Sequence, residues 1–110
     1  MEKMSIAQDE MKPLDLEFRG KGQQKCFWFK CLNRVGDVAL YEKRDTEDGG
    51  VWWEVIVVQK RVGGTYMMGG CPVTFESKER YPSDEQFGVE GWCYSKLEEA
   101  EKKFASMLAA

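Results

Sequence analysis

The sequence predicts an α+β domain: a curled antiparallel sheet of four to five strands, followed by one C-terminal α-helix packed on one face. Three observations carry this expectation. Between residues 14 and 60, apolar side chains recur at period two in runs separated by glycine- and acid-rich turns, the pattern of half-buried strands. Between residues 97 and 108 the period changes to that of an amphipathic helix. The strands come first and the lone helix last, so the sheet is the only surface on which the helix can bury its apolar stripe.

Leu14, Leu16 and Phe18 alternate with Asp15, Glu17 and Arg19, which predicts a strand over 14–19. The stretch from Gly20 to Gln24 breaks it as a turn. A second strand is predicted over 26–32, with Phe27, Phe29 and Cys31 on one face and Cys26 and Trp28 on the other. A turn around Gly36 leads to a third strand over 38–43. The run Asp45 to Gly50 has only acids, a threonine and glycines and is the clearest turn in the chain. The longest strand candidate spans 51–60. Trp53, Val55 and Val57 face one way and Trp52, Ile56 and Val58 the other, which predicts a central strand covered on both faces.

Beyond Arg61 the pattern is broken by Gly63-Gly64, Gly69-Gly70 and Pro72. Residues 65–68 are expected to pair back onto the long strand, and 73–75 to resume a strand. Ser83 followed by Gln86, with Gly88 beyond, predicts a capped helical turn. Trp92 and Tyr94 bracket Cys93 in one more short strand. Ser95 and Glu98 have capping-box spacing, and Leu97, Ala100 or Glu101, Phe104, and Met107 or Leu108 form the stripe of the final helix. Glu98–Lys102 and Glu99–Lys103 support it as i,i+4 pairs.

Residues 1–12 are polar and without period, and read as a flexible N-terminal tail ending at Pro13. Residues 13–110 read as one domain. The 14 aromatic residues argue for a folded core large enough to dispense with a disulfide or metal staple. The formal charge is -3; residues 1–61 balance 11 basic against 11 acidic side chains, and 62–110 carry 5 against 8. Such a balance argues against a protein whose main task is coating nucleic acid. No run is long enough to span a membrane, and the N-terminus lacks the apolar core of a signal peptide, so a cytoplasmic location with reduced cysteines is expected.

The sequence has no histidine, so the familiar Ser-His and Cys-His pairs, histidine bases and histidine metal ligands are excluded. Cys26 and Cys31 have a zinc-like separation, but on a strand an odd separation points their sulfurs to opposite faces. No metal, cofactor or catalytic set is therefore expected. Cys71, beside two glycines and a proline, is the thiol expected to be exposed. Glu54 is the one acid within an apolar strand; partial exposure or pairing with a lysine is expected for it. Trp28, Trp52, Trp53, Trp92 and Tyr66 are the candidate partner-binding residues, because exposed aromatics dominate interface energetics. Arg19, Lys21, Lys25 and Lys30, beside Trp28, form the alternative: a single-stranded nucleic-acid surface of cations and a stacking ring.

The segment Trp53-Glu54-Val55, then 81–88, Gly91-Trp92 and 97–104, resembles small uncharacterised proteins of tailed bacteriophages over roughly the C-terminal half. That resemblance implies a protein made in the host cytoplasm that binds and inhibits host machinery such as a defence system. It transfers no site residues. The expected function is thus a non-enzymatic protein-binding module acting on a host protein, with a homodimer through a strand edge as a further expectation. Nucleic-acid binding is the alternative. The first reading requires an exposed aromatic patch or a free sheet edge, and no deep polar pocket.

Overall fold

The computed structural model describes residues 11–109. In chain order the strands are β1 (Glu17–Arg19), β2 (Phe27–Val35), β3 (Val38–Asp45), β4 (Val51–Val57), β5 (Gln59–Arg61), β6 (Gly64–Met68), β7 (Cys71–Phe75), β8 (Lys78–Arg80) and β9 (Gly91–Tyr94). They are followed by helix α1 (Leu97–Ala109). The described residues pack as two compact units: Asp15–Val58 with 81–109, and Gln59–Arg80 with 11–14.

The larger unit is the α+β fold that the periodicity predicts. Its sheet is five-stranded and antiparallel, in the order β1-β2-β3-β4-β9. Strand alternation sorts the side chains. Val38, Leu40, Val55, Trp53 and Tyr94 share the face on which α1 packs. There Leu40, Val55, Ala100 and Phe104 form the buried cluster, flanked by Leu97 and Met107. The helix stripe thus runs Leu97, Ala100, Phe104, Met107, while Glu101 and Leu108 stay exposed. Glu98 and Glu99 in its first turn complement the helix dipole. Ala39, Tyr41 and Ile56 are buried on the opposite face, so β3 and β4 are covered on both sides.

Several expected boundaries shift for physical reasons. The expected strand 14–19 narrows to Glu17–Arg19; Leu16 is exposed, although its carbonyl still accepts from Cys31 N–H at 2.7 Å. The expected strand 51–60 divides at Val58, because β4 pairs with β3 and β9 whereas β5 pairs with β8. Between Cys31 and Asn33 the register with β3 slips by one residue, a bulge at Leu32. The turn predicted at 83–88 is a short 3₁₀ turn over Asp84–Gln86, closed by Gln86 Oε1 accepting from Ser83 N–H at 2.8 Å.

The smaller unit corrects one expectation outright. Residues 65–68 do not pair onto the long strand. They form β6, whose sole strand partner among the described residues is β7. The connection is Gly69-Gly70 with φ of 59° and 81°, positive at both positions, which defines a two-residue type I′ turn that only glycine-like residues adopt freely. Pro72, expected as an interruption, sits within β7 opposite Met67. Strands β5 and β8 pair from Gln59↔Arg80 to Arg61↔Lys78. Residues 1–10 of the expected tail lie outside the described residues, but Lys12 is tied to β8: its N–H donates to the Ser77 carbonyl at 3.0 Å, and its carbonyl accepts from Glu79 N–H at 2.8 Å. Among the described residues, no helix is long and apolar enough to cross a membrane.

Candidate functional site

Three features merit comparison as sites. The first is a cleft on the sheet face opposite α1. Phe18, Phe29 and Tyr41 are brought together by the β1-β2-β3 register, and Tyr81 closes over them with ring centroids 5.6, 5.2 and 5.2 Å away. Glu54 lies beside this cluster at 4% exposure, so the expected partial exposure is not what the fold provides. Its Oε1 accepts from the Tyr81 hydroxyl at 2.6 Å, and its Oε2 pairs with Lys43 Nζ at 3.4 Å. The other expectation for this acid, pairing with a lysine, is met. It is made possible by β3, where Lys43 lies diagonally across from Glu54 on the same face. The Lys43 ammonium also sits 4.3 Å from the centroid of Phe27.

Phe29, Lys43, Glu54 and Tyr81 line a cleft of about 300 Å³ together with Gln24, Pro82, Asp84, Phe87 and Cys93. Its chemistry is quiet. Burial, and then the Glu54 carboxylate, push the Tyr81 hydroxyl well above its ordinary range. The same two causes raise the Cys93 thiol to about 11. Neither group releases a proton near neutrality, and both carboxylate oxygens of Glu54 are already engaged. Among the described residues no cluster of acids and cysteines has the makings of a metal site. The four cysteines are free thiols, with Cys71 and Cys93 exposed.

The second feature surrounds Trp28. This ring is 38% exposed and faces away from the aromatic cleft, on the part of the sheet that α1 leaves open. Arg19 and Arg44 are its cross-strand neighbours, and Lys30 lies two residues along the same face. Both arginines beside the ring are engaged within the fold. Arg19 donates to the Lys25 carbonyl at 2.9 Å, and Arg44 pairs with Glu42 at 3.3 Å. The Trp28 indole N–H donates to Glu17 at 3.1 Å, and Lys30 is flanked across both strands by Glu17 and Glu42. Lys21 and Lys25 bracket the 3₁₀ turn Gly22–Gln24 and are exposed.

The other tryptophans are occupied within the fold. Trp53 packs against the helix-side cluster, Trp52 meets Phe27 edge-on at 6.0 Å, and Trp92 lies under the Lys103 ammonium at 4.1 Å. All three are half-buried.

The third feature is the β6–β7 hairpin. Every residue of β6 is exposed; Tyr66, Met67 and Met68 stand 46%, 69% and 55% open. Alternation and register place Tyr66, Met68, Cys71, Val73 and Phe75 on one face, an apolar patch anchored by the Tyr66–Phe75 ring contact at 5.7 Å. The opposite face carries Thr65, Met67, Pro72 and Thr74, with the two threonine hydroxyls 3.1 Å apart. Arg61 stacks on Phe75 at 4.9 Å at the hairpin base. Of the residues singled out from sequence, Tyr66 belongs here. Its neighbours do not emerge from periodicity, but one signal could have found them: in a chain with 32% charged residues, positions 62–75 contain no charge at all.

Comparison of the chain with family models, with curated proteins and with solved structures returns no match.

Proposed function

We propose that this chain is a non-enzymatic protein-binding module that docks through the apolar face of its β6–β7 hairpin. The observation that carries the reading is the exposure of Tyr66 and Met68, 46% and 55% open on one face of a two-stranded hairpin without a single charge. Soluble surfaces seldom leave such a patch uncovered unless a partner covers it. A methionine beside an aromatic ring is suited to that task, since a flexible thioether adapts to its counterpart and a tyrosine anchors it. Nothing comparable favours chemistry: both carboxylate oxygens of Glu54 are held, one by the Tyr81 hydroxyl and one by Lys43. The Trp28 surface mixes acids among its cations, which favours a protein over a phosphate backbone as its contact. The resemblance to small bacteriophage proteins makes a bacterial host protein the expected target.

The test is capture from a nuclease-treated lysate of the bacterial host, using the full chain, a Tyr66→Ser/Met68→Ser variant and a Trp28→Ala variant. A stoichiometric protein retained by the wild type and by Trp28→Ala, and lost with the hairpin variant, is the expected result. Nucleic acid in the untreated arm, lost with Trp28→Ala, and no protein in the treated arm would overturn it.

A further inference from the structure

The two edges of the hairpin differ, and the difference points to a second copy of this chain. A type I′ two-residue turn makes the flanking pair, Met68↔Cys71, a hydrogen-bonded pair. Strict alternation then makes Met67↔Pro72 and Thr65↔Thr74 non-hydrogen-bonded pairs, whose backbone groups point outward to the two edges. On β7 the outward position nearest the turn is Pro72, which has no N–H and so blunts that edge. On β6 the outward positions are Thr65 and Met67, each with both its N–H and its C=O. Among the described residues, no strand other than β7 pairs with β6. Sheet proteins guard free edges with proline, lysine or an inward charge. Here the guard stands on one edge, and β6 itself carries none.

We propose that two copies of this chain join by antiparallel pairing of β6 with β6 of the other copy, about a two-fold axis at Tyr66. The spacing is self-complementary. Thr65 of one copy meets Met67 of the other, each pair exchanging two backbone hydrogen bonds, and Tyr66 faces its own equivalent across a close non-hydrogen-bonded pair. Because 62–75 carries no charge, self-pairing sets no like charges opposite each other. The product is a four-stranded sheet in the order β7-β6-β6-β7, ended on both sides by Pro72. The two apolar faces become one continuous surface, with the two tyrosines at its centre. This proposal concerns the β6 edge and stands or falls independently of a host target.

The experiment is sedimentation of the full chain over a range of concentrations, alongside Met67→Pro and Thr74→Pro. Both substitutions remove an outward N–H and leave the hydrogen bonds inside the hairpin intact, but only the first lies on the β6 edge. The wild type should sediment as a dimer. Met67→Pro, which removes one inter-chain bond from each copy, should weaken association about tenfold or more, with Thr74→Pro close to wild type. A monomer at every concentration, or a dimer equally sensitive to both substitutions, would overturn the proposal. Two further measurements stand apart from the folding of the proline variants. Tyr66→Cys, in a Cys71→Ser background, should form an inter-chain disulfide under mild oxidation, since such cross-strand Cα atoms lie about 4.5 Å apart; Val73→Cys in the same background should not. Slow amide exchange at Thr65 and Met67 should appear only as concentration rises; protection independent of concentration would mean that another part of the same chain covers the edge, and would refute the dimer.

Discussion

Removing the Tyr81 hydroxyl tests whether the buried Glu54 carboxylate is held as the cleft geometry implies. Tyr81→Phe keeps the ring, and with it the contacts to Phe18, Phe29 and Tyr41. It deletes only the 2.6 Å bond to Glu54 Oε1. A hydrogen bond to an ionised group is worth about 1.5–3 kcal/mol. The cleft is open enough for water to replace part of that bond, so the lower end applies: a loss of about 1.5 kcal/mol. With a urea slope of about 1.5 kcal/mol/M, the midpoint should fall by about 1 M with the slope unchanged. Tryptophan fluorescence reads the transition, since Trp52 and Trp53 precede Glu54 in β4. The control is the same substitution in a Glu54→Gln background. A glutamine side chain there still accepts from the hydroxyl but as a neutral group, so the cost should fall by about 1 kcal/mol, and this difference is the coupling of a double-mutant cycle. A Tyr81→Phe protein within about 0.3 kcal/mol of wild type would refute the argument. So would an equal cost in both backgrounds.

Alkaline pH provides a second test. The Cys93 thiol is raised from 9.0 to about 11, so the folded chain keeps a proton that the unfolded chain releases between those values. Stability should therefore be unaffected by this group below pH 9 and fall as pH rises from 9 to 11, and Cys93→Ser should flatten that part of the profile in urea titrations. At pH 8, Cys93 should also alkylate about 100-fold more slowly in the native chain than in the urea-unfolded chain, as mapped by mass spectrometry, because its thiolate fraction falls by that factor. A third test concerns Gly63, where an added Cβ would lie 2.5 Å from the Ser77 backbone nitrogen and 2.6 Å from the Phe75 carbonyl oxygen. Backbone atoms do not yield as a side chain would. Gly63→Ala should speed amide exchange throughout 64–75 while β2, β3 and β4 keep their protection; Gly69→Asn, compatible with the type I′ turn, should leave both regions unchanged.

The elements made by neighbours in sequence are legible in it, and those made by distant partners are not. Alternation in 26–32, 38–43 and 51–60 locates β2, β3 and β4, though not their ends, and the charge-dense helix after Lys96 follows from its stripe. Ser83 and Gln86 announce their turn because the bond that closes it spans three residues. By contrast, β9 docks on β4 across the whole 59–80 insertion, and no local pattern chooses that partner over another. Glu54 shows the same limit at a site. Its isolation in an apolar strand is visible, but burying it needs Tyr81, 27 positions away, and Lys43 from the preceding strand. The sequence pattern misassigns the hairpin for a different reason. Its glycines read as punctuation, whereas Gly69-Gly70 is the turn that makes β6 and β7 a pair.

The way the insertion begins and ends has a consequence for evolution. Between two sheet neighbours, β4 and β9, the chain departs and returns through a zipped neck, Gln59↔Arg80 to Arg61↔Lys78. Once that neck is closed, the entropy of joining β4 to β9 no longer depends on what lies beyond it. The hairpin tip can therefore lengthen, shorten or be exchanged for another sequence while the sheet and its helix fold as before. Selection acting on such a chain would change the tip quickly and the scaffold slowly, so related chains should diverge fastest between Val62 and Phe75.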